Sequence, residues 1–233
     1  MPADRPVPAR LSSPDHVAQA LLGGIKTGRY VPGQRLIEAD LTADLAVSRG
    51  SVREALNRLA AEGVVRLIPH RGAYIRKLTR REVKDILVIQ EALTALAARL
   101  AAENIDVGDN RASFQVAYDR LMEFRDRRDA HAVLDERARF YEMLTSIGGN
   151  RELTRFVPIP QTNLLRTQLA QRLASRDRAR QFKEYAGIAR HILAGNGNGA
   201  ESAMQRHIRN TRLSMERLED DAFAAETLDA AVG

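Results

Sequence analysis

Apolar positions recur at helical spacing three times in the first sixty residues, then give way to two short β-type runs. Val17, Ala20, Leu21 and Ile25 predict a first helix over Pro14–Lys26, with Ser13 as its cap, Pro14 at the first helical position and Thr27-Gly28 as its stop. The stretch from Tyr30 to Gly33 is a turn, and Glu38–Leu45 is a short second helix burying Leu41 and Leu45. Ser48 caps a third helix, Arg49–Glu62, whose Val52, Leu56 and Leu59 form one stripe and whose stop is Gly63. Val64–Ile68 and Ala73–Lys77 are strand-like runs parted by Pro69-His70-Arg71-Gly72, which predicts a hairpin with a basic tip. The connection Ala46-Val47-Ser48 is so short that helices two and three must cross at a large angle.

Beyond the hairpin the period stays helical. Thr79 and Glu82 form a capping box that opens a helix through Val83, Ile86, Leu87, Leu93, Leu96 and Leu100 to about Glu103. Further helices are predicted at about 110–126, 129–147, 150–157, 160–174, 176–194 and 199–222, with Gly108, Gly148, Pro158, Pro160 and the glycines at 195–199 as breaks. The predicted fold class is mostly α: a winged helix-turn-helix of three helices plus a β-hairpin, followed by an antiparallel bundle of six or seven helices. The corresponding organisation is a disordered arm at 1–13, a winged helix-turn-helix unit at 14–78, a helical unit at 79–222, and a tail at 223–233.

Charge changes the picture by its placement. The chain carries a net +6, but residues 1–78 hold 12 Lys/Arg against 7 Asp/Glu, whereas the remainder holds 24 against 23. A basic unit attached to a neutral one points to a polyanion as partner of the first unit alone. With no cysteine, disulfides, thiolate metal sites and cysteine nucleophiles are excluded. The proline-rich start has no apolar core, which argues against a secretory signal, and no apolar run approaches a bilayer's thickness, so a cytoplasmic protein is expected.

The third helix opens Ser48-Arg49-Gly50-Ser51-Val52-Arg53, which suits entry into a major groove. Arginine reaches guanine or phosphate, serine donates to phosphate, and glycine permits close approach. His70, Arg71 and Gly72 at the hairpin tip would lie over the adjacent groove or backbone. Singly, each residue has an ordinary structural explanation: Ser48 is a cap in any case, Arg53 has Glu54 and Asp44 as candidate partners, and Gly72 suits a turn. The string LTADLAVSRGSVREALNRLAAEGVV at 41–65 with PHRGAYI at 69–75 closely resembles the winged-helix domain of GntR-type bacterial transcription regulators. That resemblance implies operator contacts from Ser48, Arg49, Ser51, Arg53, Arg71 and Gly72. Ala39 stands where the family often has a contacting arginine.

The helical unit resembles, more loosely, the FCD ligand-binding domain of the FadR subfamily, through LAARLAAE at 96–103, SIGGNREL at 146–153 and the spacing of Glu184, Tyr185, Ile188, Ile192, Ala200, Met204, His207 and Ile208. Many members of that group bind a divalent metal through one Asp and three His. At the matching positions this chain has Arg137, Tyr141 and Tyr185, and retains only His207. Arginine is no metal ligand and neutral tyrosine a poor one, so no metal or other cofactor is expected. Arg137 is expected instead to hold an effector carboxylate directly, with Tyr141, Tyr185 and His207 donating hydrogen bonds and Gln90 and Arg166 lining the pocket. The competing reading makes Arg137 a structural ion pair, with Glu184 as partner, and the tyrosines cavity fillers.

The expectation is a homodimeric, ligand-responsive regulator, a repressor, that binds double-stranded operator DNA and senses a small organic acid or related anion. No nucleophile–base pattern, paired carboxylates or phosphate-binding glycine loop points to an enzyme. The alternatives are a metal-dependent FCD regulator and an architectural DNA-binding protein without effector.

Overall fold

The computed structural model describes residues 13–226 apart from 128, 158, 170–171 and 173–174. The arm at 1–12 and the last residues of the tail, 227–233, therefore lie outside the described residues. Among those described, the chain forms ten α-helices, one 3-10 turn and one small sheet.

The N-terminal unit follows its hydrophobic pattern. Helix α1 (Ser13–Lys26) buries Val17, Ala18, Leu21 and Ile25 against α3 (Arg49–Ala61), which contributes Val52, Ala55, Leu56 and Leu59. Helix α2 (Glu38–Leu45) ends at Ala46, which takes a left-handed φ of 53°. A non-glycine residue there costs about 1–2 kcal/mol, and what it brings is the abrupt turn that sets α3 across α2. Ser48 then caps α3 by accepting from the Ser51 N–H at 3.1 Å.

The sheet differs from the predicted hairpin by one strand. β2 (Val65–Ile68) and β3 (Gly72–Ile75) pair antiparallel, but β1 (Arg35–Leu36) pairs with the other edge of β3, giving the order β1-β3-β2. Two residues are too few for alternation to be visible in sequence. The added strand is continued by Ile75 N–H donating to Gln34 O at 2.8 Å and Gly33 N–H to Ile75 O at 2.9 Å.

The helical unit is organised around α4 (Arg80–Glu103), opened by the complete Thr79–Glu82 capping box. Its buried Ala95, Ala97, Ala98, Ala101 and Ala102 present a face of small residues, against which α6 (Ala130–Gly148), α9 (Ser175–Leu193) and α10 (Gly197–Glu216) pack. Helices α5 (Asn110–Glu123), α7 (Arg151–Phe156) and α8 (Ile159–Leu169) complete the bundle. The seventh of these helices begins at Gly197, not at 199. Asn196 caps it by accepting from the Gly199 N–H at 2.8 Å, and a Cβ on Gly199 would lie 2.4 Å from His191 Nδ1. Gly197 and Gly199, read as breakers, are thus inside a capped first turn, whereas Gly195, with φ 66°, does sit in the break between α9 and α10. At its other end α10 stops at Glu216, and a separate 3-10 turn at Asp220–Ala222 carries the chain back to the junction.

The two units share buried surface. Leu78, between the wing and α4, is buried, and Gln168 of α8 holds both sides of it: Oε1 accepts from Leu78 N–H at 2.8 Å and Nε2 donates to Leu78 O at 3.0 Å. Phe223 is buried at the same junction beneath Arg80, whose guanidinium lies 4.3 Å from the ring centre.

Candidate functional site

Two sets of predicted residues are placed on different parts of the molecule. On the winged helix, Ser48, Arg49, Gly50 and Arg53 are exposed on the first turns of α3, with Ser51 half-buried beside Ser48. A Cβ on Gly50 would meet nothing nearer than Ser48 Oγ at 3.6 Å, so the fold itself does not require glycine there. In a helix interior glycine costs about 0.5–1 kcal/mol relative to alanine, and the open space it leaves faces outward.

Arg53, 69% exposed, pairs with neither of its sequence candidates. Its Nε donates to Glu38 Oε2 of α2 at 2.9 Å, while Asp44 is taken by Arg29. Sequence distance hid this pair, because it exists only once α2 and α3 cross. The hairpin tip holds His70 with φ 60° and Gly72 with φ 94°, and Arg71 is exposed between them.

Arg35 is the residue that sequence reading missed. Strand β1 sets it opposite Tyr74, and its guanidinium Nε would be 3.8 Å from a Cβ on Gly72. It is exposed, and no carboxylate lies within 4 Å of it among the described residues. Only knowledge of β1 could have placed it beside the wing tip.

The second set converges inside the helical unit. Arg137 and Tyr141 of α6, Gln90 of α4, Arg166 of α8 and His207 of α10 line one cavity of about 50 Å³. Tyr185 of α9 does not reach its surface. It is fully buried behind the lining, where its hydroxyl accepts from Arg137 Nε at 2.8 Å and its ring stands edge-on to Phe140, Tyr141 and Phe182. Tyr185 therefore orients Arg137, in place of the expected donation to a ligand. Arg178, Gln181 and Thr211 also line the cavity and carried no sequence signal.

The electrostatics are one-sided. Arg137, Arg166 and Arg178 line the cavity, and no Asp or Glu does among the described residues. Arg137 has no carboxylate within 4 Å among the described residues; the expected partner Glu184 is occupied by His207 Nδ1 at 2.7 Å, Asn210 Nδ2 at 2.7 Å and Arg180. Burial works against the Arg137 charge, yet Tyr185, Tyr141 and Glu184 hold its pKa above the ordinary value. Arg166 has its guanidinium carbon 4.8 Å from the Tyr141 ring centre, and burial together with the Arg137 charge draws its pKa down.

Burial, reinforced by Tyr185 and offset by the two arginines, pushes the Tyr141 phenol well above its usual value, so it is neutral at physiological pH. Burial lowers the His207 pKa despite the bond to Glu184, which leaves that imidazole neutral as well. Burial of Glu184 is outweighed by hydrogen bonds from His207 and Asn210 and by Arg180, and its carboxyl titrates below the usual range. An ionised carboxylate only accepts, so the His207 proton is on Nδ1 and its Nε2 bears a lone pair. His207 was expected to donate to a ligand; in this arrangement it accepts.

Among the described residues, four lining side chains carry buried polar atoms without a partner: Tyr141 OH, Gln181 Nε2, His207 Nε2 and Thr211 Oγ1. Buried polar groups are ordinarily paired, and an orphan costs about 1–3 kcal/mol. Four around one void mark a place for a polar occupant. A divalent metal does not fit. The donor set reduces to one imidazole nitrogen facing guanidinium groups, and no three His, Cys, Asp or Glu residues converge anywhere among the described residues.

Comparison with known proteins matches two segments of the chain. Residues 14–75 match the family described as bacterial regulatory proteins, gntR family, and residues 85–210 match the FCD domain. The chain is 29% identical over 209 residues to the HTH-type transcriptional regulator LutR of Bacillus subtilis (strain 168), covering 80% of this chain and 93% of that protein. It is 36% identical over 74 residues to the HTH-type transcriptional repressor RspR of Escherichia coli (strain K12), about a third of each chain at 32%. Among solved structures, E. coli McbR/YncC has a TM-score of 0.76 at 20% identity, covering 89% of this chain and 98% of that one. A putative GntR transcriptional regulator from Rhodococcus sp. RHA1 has a TM-score of 0.75 at 22% identity, covering 88% and 98%. At those identities the structures speak to the fold alone.

Proposed function

This chain belongs to the FCD-domain family of GntR-type bacterial transcription regulators, and from that membership we propose that it is a homodimeric, cytoplasmic repressor whose helical unit senses a small organic anion without a metal. The regulator binds operator DNA. Ser48, Arg49, Gly50, Ser51 and Arg53 enter the major groove, His70, Arg71 and Gly72 lie over the adjacent backbone, and Arg35 joins them from β1. A dimer matches two half-sites of a palindrome one helical turn apart. Repression is favoured by the RspR likeness in the DNA-binding unit. No described helix is long and apolar enough to cross a membrane, which accords with a protein acting where the DNA is.

The observation that carries the sensing role is the cavity itself: Arg137 and Arg166 face a void ringed by orphaned polar atoms and free of lining carboxylates among the described residues. The anion's carboxylate bridges the two guanidinium groups, and Tyr141 donates its phenolic hydrogen. Helix α8 then links the sites. Its Arg166 lines the cavity, while its Thr167 donates to Ile25 O of α1 at 3.2 Å and its Gln161 to Glu62 O at the end of α3. An anion that draws Arg166 toward Arg137 shifts α8 and, with it, the seat of the recognition helix. The effector changes DNA affinity only so far as it favours one arrangement over the other.

A thermal-unfolding screen of short organic acids tests the sensing role. At least one acid is expected to raise the melting temperature of the wild-type protein and leave that of Arg137→Met unmoved. Stabilisation by none of them, with native mass spectrometry recovering no small molecule, would leave a DNA-binding protein without an effector.

A further inference from the structure

We propose that the cavity recognises a hydroxyl group on its anion through His207 Nε2, which makes the effector a short hydroxycarboxylate and not a plain carboxylate; this rests on the anion-sensing reading above. His207 is fully buried, and its Nδ1 lies 2.7 Å from Glu184 Oε2. Glu184 is in turn fastened by Asn210 Nδ2 at 2.7 Å and by Arg180 Nε at 3.6 Å. The imidazole is therefore fixed in position and in tautomer, because an ionised carboxylate can be met only by Nδ1–H. What remains on this cavity-lining residue is a bare lone pair on Nε2, buried and with no partner among the described residues.

A lone pair sets a demand that a carboxylate oxygen cannot meet. Two acceptors at hydrogen-bond distance repel, so the anionic end of the ligand stays with Arg137 and Arg166, and the atom at Nε2 must carry a hydrogen. The cavity is divided accordingly. Guanidinium groups and the Gln181 amide supply donors, Nε2 supplies an acceptor, and the Tyr141 and Thr211 hydroxyls serve as either. Ammonium would satisfy Nε2 as a donor, but the arginines lining the same void, with no lining carboxylate among the described residues, repel a cation. A neutral hydroxyl is the donor that the local charge permits. The void of about 50 Å³ has room for only a few water-sized groups, which keeps the acid short.

Matched pairs that differ by one hydroxyl separate this inference from its premise. Dissociation constants of succinate against malate, and of propionate against lactate, are measured by calorimetry on the full chain. In the wild type the hydroxyl-bearing member of at least one pair is expected to bind ten-fold or more tightly, since a site left with an unpaired buried polar atom rejects the analogue that lacks its partner. In His207→Phe that ratio is expected to fall to within two-fold. Glu184→Gln, which no longer dictates the tautomer, is the second variant should His207→Phe not fold, and is expected to shrink the ratio at least three-fold.

Nitrogen-15 NMR of the unliganded protein supplies a readout free of any ligand, and it is expected to show the His207 proton on Nδ1. A plain acid that binds as tightly as its hydroxy partner, in an Arg137-dependent manner, would overturn the hydroxyl inference and leave anion sensing standing. A proton on Nε2, or a hydroxyl preference unaltered in both variants, would likewise overturn it. Binding of neither member of either pair would sink both.

Discussion

Replacing Arg137 by Met separates the two roles open to that residue. Arg137 is only 8% exposed and has no carboxylate within 4 Å among the described residues, so its charge is desolvated with Glu184 as a more distant counter-ion. The penalty for such a cation is several kcal/mol. Against it stand one charged hydrogen bond, to the Tyr185 hydroxyl at 2.8 Å, a contact of about 1.5–3 kcal/mol, and the attraction of Glu184. Methionine fills much of the same volume with apolar atoms and also relieves the repulsion felt by Arg166. These opposing effects are of similar size, so the ligand-free variant is expected to keep its melting temperature within about 4 °C, the shift that about 1 kcal/mol gives a chain of this size. Anion binding should fall by at least about 30-fold, the lower end of what removing a buried charge partner costs. Calorimetric unfolding with and without the best acid from the screen reads both quantities. Were Arg137 a structural tie for Tyr185, the variant would unfold earlier and still respond to the acid; that pair of results would refute the effector role.

Three further outcomes are expected. Glu38→Gln should tighten DNA binding by freeing Arg53, whereas Arg53→Ala should weaken it by about 1–3 kcal/mol for a base contact, or lower the salt slope by about one for a phosphate contact; anisotropy across a salt series unmoved by either change would remove Arg53 from the interface. Because the folded protein holds His207 below its ordinary pKa, the unfolded chain takes up a proton first, so stability should fall as the pH drops below about 6.5, with Glu184 adding to the loss below about 4.5. In urea titrations His207→Phe should flatten the slope between about pH 5 and 6.5, and an identical slope in both proteins would contradict the buried, neutral imidazole. Gln161→Ala combined with Thr167→Ala should leave anion affinity within two-fold while reducing the effect of the anion on DNA affinity, and an undiminished effect would exclude α8 as the link.

Hydrophobic period, caps and turn residues made the helices of both units legible, because those signals are local: Val52, Leu56 and Leu59 lie on one face whatever α3 packs against. Strand β1 was not legible, since two residues carry no period and their pairing with β3 is a tertiary fact. Arg35 was lost with it. The same distinction runs through the cavity. Arg137 and Tyr141 could be picked out by their departure from a metal-binding pattern and His207 by its retention, and the structure gathers them around one void with Gln90 and Arg166. The partners could not be chosen from sequence. Glu184 stood open as a mate for Arg137, but the crossing of α9 and α10 gives it to His207 and leaves Arg137 to Tyr185. That exchange turns His207 from donor to acceptor.

The most direct test of regulation by an anion is the affinity of the protein for DNA that it has itself selected from a random pool, measured with and without the best acid from the screen. In the wild type a saturating acid should weaken DNA binding by at least about five-fold, the low end of ordinary coupling between two sites, and Arg137→Met should bind the same DNA with no response. Equal affinity in the wild type with and without an acid shown to occupy the cavity would contradict the account.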